Sequence, residues 1–338
     1  MIAEPTPPAA FRPPEPSRPS AWVEAVLAGR PPAPTILVLG GFLMSPPVYR
    51  PFARRLLERG VADVVIGNVW TPDWLLAARH GLGPILTRSG RALLTASERS
   101  ATVSMGSPVL VIGHSAGGMS ARLLTSPVPF AARRLNASGR MGAIVTLGTP
   151  HVVTSGSEMG NRVGAEAADF ANREIPGPFF APRVGYLAVA STVSPGRREG
   201  TRTERGDWAM YQRLRPDPTV ATVEGDGLIP LGSALLTGAP SLVLDDAHHG
   251  QWPGRDWYGS DGPMDRWWPV ALETWRAALR AQAELATGAP TERATETPDE
   301  GATGAPDEAP TETLADAATG VTPGGSPGSA FDGSADRR

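Results

Sequence analysis

The run Gly113-His114-Ser115-Ala116-Gly117 sets one hydroxyl between two residues that carry no side chain. A serine hydroxyl attacks a carbonyl only when a neighbouring base takes its proton and a third group orients that base. The imidazoles able to serve are few: His80, His114, His151, His248 and His249. In a hydrolase of the serine-elbow type the acid and base follow the nucleophile in the order Ser, Asp/Glu, His, each after a later strand. The base then falls to His248 or His249 in SLVLDDAHHGQWPG. The orienting carboxylate is expected at Asp226 in VEGDGLIPLGSALL, with Glu224, Asp245 and Asp246 as rivals. Asp245 and Asp246 stand too close to the histidines to form a separate loop, whereas Asp226 leaves room for one helix and one strand before the base.

A G-x-S-x-G pattern is weak without its setting, because small residues collect in loops. Here PVLVIG (108–113) reads as a buried strand and AGGMSARLLT (116–125) as a helix, the strand–turn–helix setting that a nucleophile elbow requires. The first amide of that helix, at Ala116, is one expected oxyanion donor. The second is expected at Phe42, in the Gly40-Gly41-Phe42 turn after the strand TILVLG (35–40).

These elements belong to a longer alternation. Apolar runs at 35–40, 61–69, 108–113, 142–148, 184–191 and 241–246 predict strands; 20–29, 48–60, 89–102, 116–125 and 263–285 predict helices. Continuous apolar strands alternating with helices predict an α/β fold with a mostly parallel sheet covered on both faces. Segments 151–183 and 192–225 lack strong periodicity and read as long excursions that carry loops or lids. The proline-rich residues 1–20 read as a disordered arm, 21–285 as one α/β domain, and 286–338 as a disordered low-complexity tail. That tail holds ten acidic residues against three arginines, a charge of −7 that leaves +4 for the rest.

Composition removes several chemistries. With no cysteine there is no thiolate nucleophile, zinc-thiolate site or disulfide; with no lysine there is no Schiff base or P-loop lysine. A net charge of −3 is too small to imply a nucleic-acid partner. No run approaches the ~20 apolar residues of a membrane helix, and the N-terminus lacks a signal-type apolar core, so a cytoplasmic location is expected. A metal site built on His248, His249, Asp245 and Asp246 is disfavoured, because adjacent residues at a strand end point apart.

The segments LGGFLMSPPVYRPFARRLLERG, GHSAGGMSARLL, VTLGTPH, GDGLIPLGSALLTGAPSLVLDDAHHG and GRDWYGSDGPMDRWW stand in this order. Together, over about residues 35–275, they resemble the lipase-like α/β-hydrolases of bacteria, cyanobacteria and plant plastids. That group is distantly similar to triacylglycerol lipases and GPI inositol-deacylase-type esterases. The resemblance implies the α/β-hydrolase fold, a nucleophile at Ser115, an acid at Asp226 and a base at His249, with neither cofactor nor metal. Relatives carry an aromatic or small residue before the base, where this chain has His248; several carry histidine in the oxyanion loop, where it has Gly40. The implied activity is cleavage of a small-molecule ester of lipid-like character. An acyltransferase, a thioesterase or a non-catalytic binding protein on the same fold are the alternatives. Gly41, His114, His151 and Trp70 are candidates to line the substrate pocket; Trp74 could line the same mouth as Trp70, and Phe170, Phe179 and Phe180 in the 151–183 segment suit an apolar pocket for an acyl chain. The WYGS and RWW residues are expected to pack the last helix.

Overall fold

The computed structural model describes residues 20–154 and 161–288, so most of the expected arm and tail lies outside the described residues. Five apolar runs make β1 (Thr35–Leu39), β2 (Asp63–Ile66), β3 (Val109–His114), β4 (Met141–Leu147) and β5 (Gly185–Ser191). A small antiparallel ribbon, β6 (Gly196–Arg197) with β7 (Thr222–Val223), precedes the last strand, β8 (Ser241–Leu244). The main sheet runs β2-β1-β3-β4-β5-β8, and every neighbouring pair is parallel. Parallel strands need crossovers, and helices supply them. The crossover helices are α2 (Arg50–Glu58), α3 (Thr71–His80), α4 (Gly83–Val103), α5 (Ala116–Thr125), α6 (Asn161–Glu174), α7 (Arg202–Leu214) and α8 (Leu231–Ala234); α1 (Ala21–Leu27) precedes the sheet and α9 (Asp261–Thr287) follows it.

Side chains alternate across each strand, and both faces are apolar. Ile36, Val38, Leu110, Ile112, Val145 and Leu187 face one way, onto the cluster holding Phe52 and Leu56 of α2 and Trp267, Trp275 and Leu279 of α9. Leu37, Leu39, Val109, Val111 and Ile144 face the other, onto Leu93 and Ala96 of α4 and Leu124 of α5. Burial on both faces explains why β1, β3 and β4 read as unbroken apolar runs. The residues in WYGS and RWW pack as expected: Trp257, Tyr258 and Trp267 are buried, and the Trp267 indole N–H donates to the Tyr258 carbonyl at 2.8 Å.

Three stretches depart from expectation. The segments expected to lack regular structure hold α6 and α7, and α3 fills residues 71–80, where no element was expected. The start of α7 carried a readable signal. Thr201 accepts from the Glu204 N–H at 3.3 Å and Glu204 accepts from the Thr201 N–H at 2.8 Å, a reciprocal capping box.

Candidate active site

The site stands above the carboxyl ends of β1, β3 and β4. Ser115 ends β3 and starts α5 with φ 54° and ψ −128°, a backbone conformation that side-chain-bearing residues rarely adopt. Its neighbours make the bend feasible. A Cβ on Gly113 would lie 2.3 Å from the Gly118 Cα, and one on Gly117 would lie 2.1 Å from the Leu39 carbonyl oxygen. The bend is pinned by the Ser115 N–H donating to the Leu147 carbonyl at 2.9 Å and by the Thr149 hydroxyl donating to the Ser115 carbonyl at 2.9 Å.

Ser115 Oγ lies 3.0 Å from His249 Nε2, and His249 Nδ1 lies 2.8 Å from Asp226 Oδ2. With Nδ1–H donating to the carboxylate, Nε2 is left to accept the serine proton. The two loops carrying acid and base are tied by main chain as well, the His249 N–H donating to the Asp226 carbonyl at 2.9 Å. Asp226 Oδ1 accepts the N–H groups of Leu228 and Ile229 at 3.0 and 2.7 Å. Its Oδ2 accepts the Tyr258 hydroxyl at 2.9 Å beside the imidazole. Burial would raise this carboxyl, but the attraction and hydrogen bond of His249, with the Ile229 and Leu228 amides, outweigh it and hold the group below the ordinary carboxylate range. Tyr258 itself stays a phenol, because burial and the adjacent Asp226 charge push its ionisation well up.

A second chain of bonds runs underneath. The Gly41 N–H donates to the Tyr49 oxygen at 2.8 Å, the Tyr49 hydroxyl meets His114 Nδ1 at 2.8 Å, and His114 Nε2 meets the His249 carbonyl at 2.8 Å. A carbonyl can only accept, so Nε2 carries the His114 proton and Nδ1 accepts from the tyrosine. Burial, with His249 adjacent, brings the His114 pKa down to about 3, which keeps it neutral in that role. The chain joins the loop after β1 to the backbone of the base. Neither Tyr49 nor Tyr258 was singled out by the sequence, since each reaches the site from a distant segment.

Phe42 shares the cavity with Ser115, and its N–H has no hydrogen-bond partner among the described residues. The Ala116 N–H belongs to the first turn of α5, where helix geometry leaves amides unpaired. Unpaired amides at a helix N-terminus, with the positive end of the α5 dipole behind them, can stabilise developing negative charge. A cavity of about 150 Å³ opens beside Ser115, with Phe42 and Ala116 at its mouth. Its walls come from α3 (Trp74, Ala77), α5 (Met119) and α6 (Val163, Ala167).

None of the four expected pocket residues, Gly41, His114, His151 and Trp70, lines that cavity. His114 is 3% exposed and is used by the chain just described. His151 is turned under α5, where Nδ1 faces Arg122 at 3.4 Å and Nε2 faces the Thr146 hydroxyl at 3.1 Å. Trp70 is 44% exposed and spends its indole N–H on Asn68 at 2.6 Å; the neighbouring tryptophan, Trp74, is the one turned inward. Gly41 is absent from the walls too, but it presses on the nucleophile: a Cβ there would lie 2.9 Å from the Ser115 Cβ. Of the rival groups, His248 Nδ1 sits 3.2 Å from the Asp256 carbonyl, and Asp245 and Asp246 pair with Arg266 at 2.5 and 3.2 Å. Among the described residues no cluster of three or more histidine and acidic side chains could hold a metal ion.

The parallel sheet order, the serine on a strained strand-to-helix bend, and Asp226 and His249 on loops after later strands define the α/β-hydrolase fold. No protein-family model and no curated protein sequence matches the chain. Among solved structures, the chain is similar to the mature lipase BlEst2 of Bacillus licheniformis, with 15% identity and a TM-score of 0.46 over 72% of this chain and 93% of that one. It is also similar to the native Est2 esterase of Thermogutta terrifontis, with 12% identity and a TM-score of 0.37 over 78% and 85%. A third similar structure is Est1E of Butyrivibrio proteoclasticus with ferulic acid bound, at 12% identity and a TM-score of 0.33 over 76% and 90%.

Proposed function

We propose that this chain is a serine hydrolase that cleaves carboxylic esters through an acyl-enzyme. The observation that carries the reading is the hydrogen-bonded line from Ser115 through His249 to Asp226, at 3.0 and 2.8 Å, on a strained bend. Ser115 Oγ attacks the ester carbonyl carbon while His249 Nε2 takes its proton, and the carbonyl electron pair moves to oxygen. The Phe42 and Ala116 amides donate to that oxyanion; one such donor is worth about 3 kcal/mol in the transition state. Asp226 holds the imidazole in the Nδ1–H tautomer and stabilises it once charged. The tetrahedral species collapses, the C–O bond breaks, and His249 returns the proton to the departing alcohol. A water molecule, deprotonated by the same imidazole, then attacks the acyl group and releases Ser115 and a carboxylic acid.

Tyr258 acts through Asp226 as a positioning residue, and the Gly41–Tyr49–His114 chain keeps the oxyanion loop in register with the base. The test is hydrolysis of p-nitrophenyl butyrate by wild type and Ser115→Ala. Turnover by wild type that disappears in the variant, with unchanged circular dichroism, is the expected result. A folded wild type without turnover on esters would count against the reading.

A further inference from the structure

We infer that the cavity beside Ser115 is an acyl-chain site that selects uncharged acyl groups of about four to eight carbons, an inference that rests on the ester-hydrolase reading. The reacting atoms fix which half of an ester enters it. His249 must give its proton to the leaving oxygen, so the alcohol stands over the imidazole. The cavity touches Ser115, Phe42 and Ala116, yet none of its described lining residues comes from the His249 loop (245–258). It therefore lies on the far side of the carbonyl carbon from the leaving group, where the acyl chain is.

Size sets the length. The space is about 150 Å³, and an apolar protein cavity of about that volume holds a benzene molecule, six carbons. An acyl group with about six carbons fills it, and a longer chain must leave it or push the walls apart. Those walls are packed, since Trp74, Met119 and Ala167 are each buried in the cluster that joins α3, α5 and α6, and moving them disturbs that packing. Chemistry sets the charge. No described lining residue is ionisable, and the Ser120 hydroxyl already donates to the Ala116 carbonyl at 3.2 Å. An anionic acyl group would be stripped of water there with no cationic side chain to pair it, the buried and unpartnered Trp74 indole N–H being a neutral donor only.

The experiment is a series of p-nitrophenyl esters from acetate to dodecanoate at submicellar concentration, with the hemisuccinate as a charged counterpart of butyrate. Ser115 labelling by a fluorophosphonate is measured in parallel. Each methylene seated in the cavity is expected to raise kcat/KM about fourfold, up to an optimum near hexanoate, with dodecanoate well below it. The hemisuccinate is expected about 100-fold below butyrate. Rates that climb steadily to dodecanoate, or a hemisuccinate that matches butyrate, overturn the inference while Ser115 labelling leaves the hydrolase reading standing. No labelling and no turnover on any ester overturn both. Met119→Ala is expected to move the optimum to longer chains and Ala167→Leu to shorter ones. An optimum unmoved in either folded variant contradicts the assignment, and the wild-type series decides it if neither folds.

Discussion

Asp226 Oδ2 is shared by two donors, the His249 ring and the Tyr258 hydroxyl, at 2.8 and 2.9 Å. The two bonds have different consequences. Replacing the carboxylate, in Asp226→Asn, leaves the imidazole in the wrong tautomer and is expected to lower kcat about 10⁴-fold. Removing only the hydroxyl, in Tyr258→Phe, leaves the triad in contact but makes the carboxylate more basic. It also loses one of the bonds that fix its orientation beside the imidazole, so kcat is expected to fall about fivefold with KM unchanged. Steady-state kinetics of the variant check this; an unchanged kcat would show that the tyrosine only fills space. The same residue bears on what a sequence can reveal. Tyr258 reads as packing because WYGS adjoins an aromatic helix, and its ring is indeed buried. Only the fold tells that its oxygen meets a carboxylate 32 positions away.

At the level of elements, the turn after β4 decides whether acid and base can meet. Gly148 has φ 54°, and a Cβ there would lie 2.6 Å from Asp226 Oδ2 and 3.1 Å from His249 Nδ1. Gly148→Ala is expected to cut kcat/KM by at least about 100-fold, because a misplacement near 1 Å costs that much. Circular dichroism should stay native; an active, well-folded variant would contradict this role for the turn. The elbow itself was legible: α5 occupies residues 116–125 as its composition indicates, and the expected strands fall within two or three residues of those observed. Apolar runs buried on both faces announce themselves. Helices at the rim do not, since α3 leaves Leu75 and Leu76 exposed and so lacks a clean apolar stripe. The same limit misplaced the pocket. His151 follows β4 closely enough to suggest the pocket wall, yet Arg122, bonded to Asn172 and to the carbonyls of Ala171 and Ile175, draws it beneath α5.

Across the whole molecule, the buried imidazoles link stability to acidity. His114 is held neutral by burial with a pKa of about 3, and His151 is held well below its ordinary value by burial and the Arg122 charge. In the unfolded chain both take a proton near the ordinary histidine value, about 6.5. A depressed native pKa means that stability is complete above that value and is lost as pH falls towards the native one. His114 alone is expected to remove about 2 kcal/mol between pH 6.5 and 5. The melting temperature should therefore fall over that interval, and His151→Gln, which keeps a donor and an acceptor, should flatten the curve. A wild-type curve level from pH 7 to 5 would contradict the neutral buried state of both rings.

Every proposed step starts from a nucleophilic Ser115, and intact mass after treatment with a fluorophosphonate tests that most directly. One phosphonyl adduct per chain is expected, mapped to the peptide containing Ser115, absent from Ser115→Ala and slowed sharply in His249→Ala. A folded wild-type chain that stays unmodified, or an adduct on another residue, would contradict it.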